Sequence, residues 1–366
     1  MYNIIEVIIG LVACILIFYH RPILFNETNN ASKKRISVII PARNEEENLE
    51  NLIHDLKVQT RKVDEIICID DHSDDKTPII AQKHADTFIS VDEIQQGWTG
   101  KNWACNLGVE AATGDVFIFL DADLRLHPNA IAKLESTFDA SHCTISVEPF
   151  HKIKNWYEYF SYFFNLIQIC ANGVGWPFWS KNIGLFGPVI MISREDYMFI
   201  GGHESVKNSI VEDVSLGEEM RNHGLKFKLF LGGNDISFRM YSNGVGELIE
   251  GWTKNMASGA MKTPLLLLIM VVLWFGAITS VFVNLIRSII DFNLFAISVY
   301  AALYFFTAIL LWSISRKIGG FKFRGVLVYP ILLLACFVVF IISMFKRYIF
   351  KETSWKGRKI ELGGKK

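Results

Sequence analysis

Apolar residues occur in short runs through the middle of the chain, and polar stretches with apolar residues at helical spacing separate these runs. The short runs read as strands, and in order they are RISVII (35–40), EIICID (65–70), TFISVD (87–92), DVFIFL (115–120) and TISVEPF (144–150). Strands that alternate with helices pair in parallel and bury both faces of their sheet. The pattern therefore predicts an α/β fold with a mostly parallel, Rossmann-like sheet.

Longer apolar segments lie at the two ends of the chain. Residues 3–18 are apolar except for Asn3 and Glu6. Three later segments are long enough to cross a bilayer as helices, which takes about 20 residues; they are 264–286, 293–313 and 325–345. Core helices of a soluble protein are the alternative, but three such segments close together favour a membrane protein. The predicted parts are an N-terminal anchor (1–20), a soluble domain (33–255), two or three membrane spans (264–345) and a basic tail (346–366).

Basic residues next to the apolar segments predict the orientation. His20, Arg21 and Lys34 follow the first segment, and no small-residue cleavage site does, which favours an uncleaved anchor that leads into the cytosol. Residues 351–366 carry six basic and two acidic residues and also prefer the cytosolic side. Three spans would place this tail outside, so the number of spans stays open. We expect a multi-pass protein of the plasma membrane with its soluble domain in the cytosol.

Composition argues against nucleic acid as a partner, and the cysteine pattern argues against disulfides and against a cysteine metal site. Lys+Arg and Asp+Glu are equal at 37 each, so there is no basic excess for nucleic acid. The six cysteines have neither metal-binding spacing nor a pairing pattern, which indicates reduced thiols.

Acidic loops follow three of the predicted strands, as PARNEEE, DDHSDD and DADLR. The carboxyl ends of parallel strands meet at one edge of a sheet, where ligands bind. No glycine-rich phosphate loop follows any strand, so a diphosphate at this edge would need a divalent cation. Asp121 and Asp123 are suitable oxygen ligands for Mg²⁺ or Mn²⁺.

Five segments in order resemble the motifs of family 2 glycosyltransferases. They are VIIPARNEE, IDDHSDDKT, GKNWACNLG, FLDADLRL and IVEDVSLGEEMRNHG. The resemblance implies a GT-A fold, a UDP-sugar donor, a Mg²⁺ or Mn²⁺ cofactor and transfer of a hexose with inversion at the anomeric carbon. It identifies the chain as a hexosyltransferase.

Further segments resemble the branch of this family that glycosylates lipids: FGPVIMISREDYMFIGGHESVKNSIVED, SFRMY, EGWTKN and SWKGRKIEL. The resemblance is greatest to enzymes acting on carotenoid carboxylic acids and implies glucose as the sugar. A ceramide- or diacylglycerol-type glycolipid synthase is the alternative. A processive polysaccharide synthase is disfavoured, because ELIEGW stands where such enzymes carry Q-x-x-R-W. A transporter is disfavoured by the lack of ionisable residues deep in the C-terminal segments.

The resemblance also implies roles for individual residues. Asp71 is preferred to Asp70 for reading the uracil and ribose, and Asp123 is the firmer metal ligand, with Asp121 contacting ribose and metal. Helix capping, a surface lysine and a membrane-flanking basic tail are the competing interpretations for the other positions. The implied donor-binding residues are Pro41, Ala42, Arg43, Glu45, Asp70, Asp71, Lys101, Asn106, Asp121, Asp123 and Arg358.

Inverting transfer to a hydroxyl needs a carboxylate that accepts the proton of the acceptor. Ser209 and Glu212 have the spacing of a capping box, which leaves Asp213 in the first turn of a helix, where an ionised carboxylate is favoured. We therefore predict Asp213 as the catalytic base. Residues with an implied acceptor or sugar contact are His203, Glu212, Arg239 and Trp252.

Aromatic residues are concentrated between residues 155 and 186. An amphipathic helix in the membrane interface, guiding a lipid acceptor, is one interpretation. Packing in a hydrophobic core is the other.

Overall fold

The computed structural model describes residues 2–25, 34–178, 182–209, 211–242, 244–346, 352–355 and 358–361. The chain forms two compact units. The sheet unit comprises Pro22–His151 and Gly184–Arg239, and the helical unit comprises Met1–Arg21, Lys152–Ile183 and Met240–Lys366. The sheet unit is narrower than the predicted domain 33–255, because the aromatic segment and the residues after Arg239 belong to the helical unit.

The helices in chain order are α1 Tyr2–Ile17, α2 Leu49–Lys57, α3 Thr77–His84, α4 Gly100–Ala111, α5 Ala130–Ser141, α6 Tyr162–Ala171, α7 Arg194–Phe199, α8 Glu212–Asn222, α9 Val245–Lys262, α10 Leu265–Ile290, α11 Leu294–Ser315, α12 Phe323–Val326 and α13 Tyr329–Phe345. Two short 3-10 helices are Trp156–Ser161 and Gly202–Val206.

The strands are β1 Ile36–Ala42, β2 Glu65–Asp70, β3 Thr87–Ser90, β4 Val116–Leu120, β5 Leu124–Leu126, β6 Thr144–Glu148, β7 Phe150–His151, β8 Val189–Ser193, β9 Phe227–Leu231, β10 Ile236–Phe238, β11 Glu352–Trp355 and β12 Arg358–Glu361. Seven of them form one sheet in the order β3-β2-β1-β4-β8-β6-β9. Strand β8 is antiparallel to β4 and to β6, and the other neighbours are parallel. The mostly parallel sheet is confirmed, and the predicted strands form, except that TISVEPF (144–150) divides at Pro149 into β6 of the main sheet and β7 of the small sheet.

The central strands form the core of the sheet unit. Every residue of β4 is buried, and so are most residues of β1 and β2. The register pairs Ala42 with Asp70, so that β1 and β2 end at the same level. Because β4 and β6 run in the same direction as β1, their carboxyl ends lie at the same edge. This edge collects the polar loops.

A small second sheet extends this edge, in the order β5-β10-β7. Strand β5 follows β4 after a short turn that contains Asp121 and Asp123. Its antiparallel partner β10 pairs Phe238 with Leu124. Arg239, which follows β10, and Asp123, which precedes β5, therefore lie at the same end of the small sheet. The strand pairing thus places these two predicted site residues near one another in space.

The helical unit contains the long apolar helices. Among the described residues, α10 and α11 are long and apolar enough to cross a membrane, by length and composition. They match the predicted segments 264–286 and 293–313. The other two predicted segments correspond to the shorter apolar helices α1 and α13. The number of spans therefore stays a prediction.

The aromatic segment lies partly in the interior of the helical unit. Phe163 is fully buried and packs against Trp274 and Phe275 of α10, with ring centroids 5.9 and 5.5 Å away. Trp156 and Phe178 instead leave 72% and 65% of their surface exposed. Core packing thus accounts for the start of α6, and an interfacial role stays a prediction for the exposed rings.

Candidate active site

The loops after β1 and β2 are held together by hydrogen bonds. The amide of Asp71 donates to the carbonyl of Ala42 at 2.9 Å, and the Arg43 guanidinium donates to the carbonyl of Asp71 at 2.8 Å. The amide of Glu45 donates to the hydroxyl of Thr77 at 2.7 Å. The predicted donor-binding segment from Pro41 to Glu45 is therefore fixed against the second acidic loop. Helix α2 begins only at Leu49, and Asn44 in this loop adopts a left-handed conformation with φ of 52°.

Asp70 and Asp71 end the second strand as buried carboxylates, 2% and 7% exposed. Asp71 Oδ1 lies 3.0 Å from His72 Nδ1, and Asp70 Oδ2 accepts a bond from the amide of Ser73 at 3.2 Å. Asp70 Oδ1 is buried and has no hydrogen-bond donor within the described part of the chain. A buried acceptor without a donor is costly, by about 1–3 kcal/mol. Such an oxygen is suited to a ligand N–H or O–H group.

Lys101 joins two of the predicted motifs. It lies in the first turn of α4, and its ammonium contacts Asp121 Oδ1 at 2.8 Å and Glu212 Oε1 at 2.9 Å. Burial opposes the charge of Lys101, but Asp121 and Glu212 more than offset it, and the pKa of Lys101 is raised well above its ordinary value. The lysine is therefore charged at neutral pH. It links Asp121, in the predicted metal-binding turn, to Glu212, which precedes the predicted base Asp213.

Asp121 and Asp123 flank the buried Ala122 in the turn after β4. Both are partly exposed, and the amide of Asp121 donates to the carbonyl of Pro188 at 3.0 Å. Within the described residues, no group of three or more His, Cys, Asp or Glu could hold a metal ion. Two carboxylates one residue apart nevertheless fit Mg²⁺ or Mn²⁺, because such ions keep the phosphates of a substrate and water as their other ligands.

Asp213 is held by two backbone amides in the first turn of α8. Its Oδ2 accepts from the amide of Gly187 at 2.9 Å, and its Oδ1 accepts from the amide of Val214 at 2.8 Å. Burial raises the pKa of Asp213 to about 6, and Glu212 adds to this, whereas Lys101 and the two amides lower it. Burial therefore has a larger effect on the pKa of Asp213 than the helix N-terminus, although the position in the first turn alone would predict a lowered pKa. A pKa just below neutrality suits a general base, which must be ionised yet able to accept a proton.

The predicted capping box does not form. Helix α8 begins at Glu212, three residues after Ser209, and its N-cap residue Val211 makes no side-chain capping bond. The hydroxyl of Ser209 bonds that of Ser215 at 2.7 Å, and the Glu212 carboxylate contacts Lys101. An ion pair with the half-buried Lys101 competes with the cap for the same carboxylate, and in this chain the ion pair forms.

Glu148 is a further acid at this edge, which the sequence analysis missed. It ends β6 and is 4% exposed. Burial, together with the charges of Asp213 and Asp121, raises the pKa of Glu148 to about 8. At neutral pH this side chain therefore holds its proton. The signal was present in the sequence, because Glu148 ends a parallel strand as Leu120 does before Asp121.

We expect Glu148→Gln to gain stability relative to the wild type as the pH rises from about 5 to 8. The folded protein keeps a proton on Glu148 that the unfolded chain releases, so the wild type loses stability across the window between the ordinary carboxyl pKa and about 8. The amide does not titrate. Melting temperatures of both proteins with chelator present, against pH, provide the measurement. The exposed Glu195→Gln in α7 is the control, and a pH-independent difference for Glu148→Gln would contradict the prediction.

Asn106 lies outside this cluster in its described contacts. Its amide donates to Glu110 Oε1 at 2.8 Å on the surface of α4. Its predicted donor contact stays a prediction.

His203 is buried close enough to the Lys101–Glu212 ion pair for both charges to act on it. It is 3% exposed, and its Nδ1 is hydrogen-bonded to the hydroxyl of Tyr197 at 2.8 Å. The Phe119 ring lies 4.9 Å from the imidazole. Burial lowers the pKa of His203 to about 4, so it is neutral at pH 7. These contacts give His203 a structural role, and its predicted acceptor or sugar contact stays a prediction.

Two of the predicted residues belong to the helical unit. Trp252 is 4% exposed in α9, stacks on Phe164 with centroids 4.7 Å apart, and donates to Ser161 Oγ at 3.1 Å. Packing accounts for this tryptophan. Arg358 lies in β12, opposite Trp355 of β11, and its side chain is outside the described part of the structure. Its predicted contact with the diphosphate stays a prediction.

Two glycines allow α8 to pack closely against the backbone of the segment that precedes β8. A Cβ on Gly184 would lie 2.3 Å from the Cα of Val214, and a Cβ on Gly217 would lie 2.8 Å from the Cα of Gly184. Real Cβ atoms do not approach backbone so closely. This glycine seam, formed by Gly184 and Gly217, fixes α8 beside the segment whose Gly187 amide binds Asp213.

The mostly parallel sheet, the acid pair after β4 and the half-buried acid on α8 agree with the resemblance to glycosyltransferases of the GT-A fold. Residues 37–197 match the family model described as glycosyl transferase family 2. The 4,4'-diaponeurosporenoate glycosyltransferases of Staphylococcus aureus strains N315 and USA300 are each 32% identical over 358 residues, which is 95% of this chain and 94% of theirs. The chain therefore belongs to glycosyl transferase family 2, and it is an enzyme of the hexosyltransferase type.

The fold is shared with a solved enzyme. The mannosyltransferase PcManGT from Pyrobaculum calidifontis, in complex with GDP-Man and Mn²⁺, aligns with a TM-score of 0.52 and 16% identity, covering 92% of this chain and 99% of that one. This likeness confirms the predicted GT-A fold.

Proposed function

We propose that this enzyme transfers glucose from UDP-glucose, with inversion, to the carboxyl group of a carotenoid-type lipid acid, and that it acts at the membrane. The acceptor follows from the name of the curated relatives, which specifies a diaponeurosporenoate, a long carboxylic acid. The apolar helices α10 and α11 support membrane association, and the cytosol is the expected side of the sheet unit.

The observation that carries the proposal is the double contact of Lys101. Its ammonium bonds Asp121 at the predicted metal edge and Glu212 next to Asp213. An inverting enzyme needs the leaving diphosphate and the acceptor on opposite sides of the anomeric carbon. Lys101 holds Asp121, on the side of the diphosphate, close to Glu212, on the side of the acceptor.

On the donor side, Asp71 would bind the uridine, and the buried Asp70 Oδ1 offers an acceptor for a donor group of the nucleotide. Asp121 and Asp123 would hold Mg²⁺ or Mn²⁺, and the mannosyltransferase of the same fold was solved with Mn²⁺. When bound, such an ion would neutralise the charge of the diphosphate leaving group.

On the acceptor side, an oxygen of the acceptor forms the new bond to the anomeric carbon while the bond from that carbon to the diphosphate oxygen breaks. The diphosphate leaves with the bonding electrons. Asp213 accepts the proton if the acceptor oxygen carries one, and orients the acceptor if it does not. Glu148, neutral at pH 7, adds no negative charge to this site.

A hydroxyl lipid such as a ceramide or diacylglycerol is the second candidate acceptor. The feature that favours it is the pKa of Asp213, raised by burial to about 6, because a general base for a hydroxyl is most effective when its pKa lies near the working pH.

Membranes that contain the enzyme are incubated with labelled UDP-glucose and either a carotenoid acid, ceramide or diacylglycerol. We expect a labelled glucosyl ester with the carotenoid acid. A product only with a hydroxyl lipid would replace the proposed acceptor, and no lipid product with any of them would refute the proposed function. GDP-mannose in place of UDP-glucose tests the donor.

A further inference from the structure

Asn102 follows the bridging lysine on α4 and is fully buried. Its side-chain amide donates to three backbone carbonyls, those of Val206 at 2.9 Å, Lys207 at 3.2 Å and Ser209 at 3.2 Å. Three carbonyls around one end of the side chain identify this end as the NH₂ group, because an oxygen there would be repelled by all of them. The amide therefore binds a whole segment of backbone, residues 206–209.

The 206–209 segment leads directly toward the catalytic motif. The amide of Thr99 also donates to the carbonyl of Lys207 at 2.8 Å, so the segment is bound at a second point to the start of α4. At its other end, the hydroxyl of Ser209 bonds that of Ser215 in α8 at 2.7 Å. A chain of hydrogen bonds thus runs from α4 to the helix that carries Asp213.

The same amide has an unsatisfied side. Asn102 Oδ1 is buried and has no donor within hydrogen-bonding distance in the described structure. Gln59, a buried amide outside the site, has both ends of its side chain satisfied. That buried side chain donates to the carbonyls of Asp55 and His127 and accepts from the amide of Ile131.

We propose that Asn102 is a positioning residue for the catalytic base: it fastens the segment before α8 to α4, and thereby fixes Asp213 relative to Lys101. This inference rests on the proposed function, in which Lys101 contacts the donor side and Asp213 the acceptor. A misplacement of about 1 Å at a reacting group can cost roughly 100-fold in rate. The Asn102 amide thus fixes the position of Asp213 relative to Lys101 without contacting a substrate.

The test compares Asn102→Asp and Asn102→Ala with Gln59→Glu, the matched change of a buried, backbone-binding amide outside the site. We expect the Asn102 variants to lower kcat by about 10- to 100-fold with the KM for UDP-glucose unchanged. Gln59→Glu should lower the melting temperature and leave kcat unchanged. Hydrogen exchange of a peptide covering residues 205–216 should be faster in the Asn102 variants and unchanged in Gln59→Glu.

Wild-type kcat in the Asn102 variants, with a lowered melting temperature like that of Gln59→Glu, would overturn the inference. If both Asn102 variants fail to fold, Ser209→Ala removes the far end of the same path, and an unchanged kcat there would overturn it too. A wild type that glucosylates no lipid would refute the proposed function instead. The exchange measurement still decides in that case whether Asn102 anchors the segment.

Discussion

Replacing Asp213 with asparagine is expected to lower kcat for a hydroxyl acceptor by about 10²- to 10⁴-fold, the usual contribution of a general base. The amide keeps the shape of the side chain but cannot accept a proton. With a carboxylic acid acceptor the loss should be smaller, because such an acceptor is already ionised near pH 7 and needs orientation more than deprotonation. The ratio of the two losses therefore reports which kind of acceptor the site serves.

The pH profile provides a second readout of the same variant. Wild-type kcat for a hydroxyl acceptor should fall as the pH drops through about 6, since burial raises the pKa of Asp213 to that value and the protonated acid is no base. Asp213→Asn should lack this acidic limb. Asp196→Asn, in the first turn of α7, is the matched control and should leave both rate and profile unchanged. Background turnover by Asp213→Asn with the carboxylic acid acceptor would contradict the predicted difference.

Chelation of divalent ions is expected to abolish transfer, and Asp123→Asn is expected to reduce it by roughly 10²- to 10³-fold at saturating UDP-glucose. The reason is that several kcal/mol of charge stabilisation on the leaving diphosphate are lost, and about 1.4 kcal/mol corresponds to a tenfold change in rate. Rates measured while Mn²⁺ or Mg²⁺ is titrated back should show a weaker apparent affinity for the ion in Asp123→Asn.

The control for this experiment is Asp139→Asn, which removes a surface carboxylate that pairs with Lys34 at 2.9 Å on α5, away from the edge of the sheet. It should keep the wild-type rate and metal dependence. Full activity in the presence of chelator would refute a metal-dependent mechanism. Equal losses in Asp139→Asn and Asp123→Asn would show that the effect is general and does not come from the site.

The strands and the edge that holds the acids could be predicted from sequence, because both follow from local patterns. Buried parallel strands are continuous apolar runs, and their carboxyl ends must meet. Asp71, Asp121 and Asp123 each stand directly after such a run, so their edge followed from the position of the strand. Asp213 was predicted as the base from its place in the first turn of a helix, and two backbone amides hold its carboxylate there.

The partners of these residues could not be predicted in the same way. Glu212 has the spacing of a capping residue, and only the folded chain brings Lys101 close enough to compete for its carboxylate. Glu148 escaped notice because β8, a later segment, inserts between β4 and β6, and a one-dimensional pattern does not show this insertion. On α4, the sequence motif pointed to Asn106, whereas the buried amide that binds the base segment is Asn102. Long-range contacts decide each of these cases.

The glycine seam has a consequence for engineering new acceptor preferences. Any side chain placed at position 184 or 217 would have to displace α8 as a body, and would move Asp213 away from the amide of Gly187. Directed evolution that substitutes these two positions should therefore yield inactive proteins more often than altered ones. A mutational library would do better to hold both glycines constant and diversify residues that no close backbone contact confines.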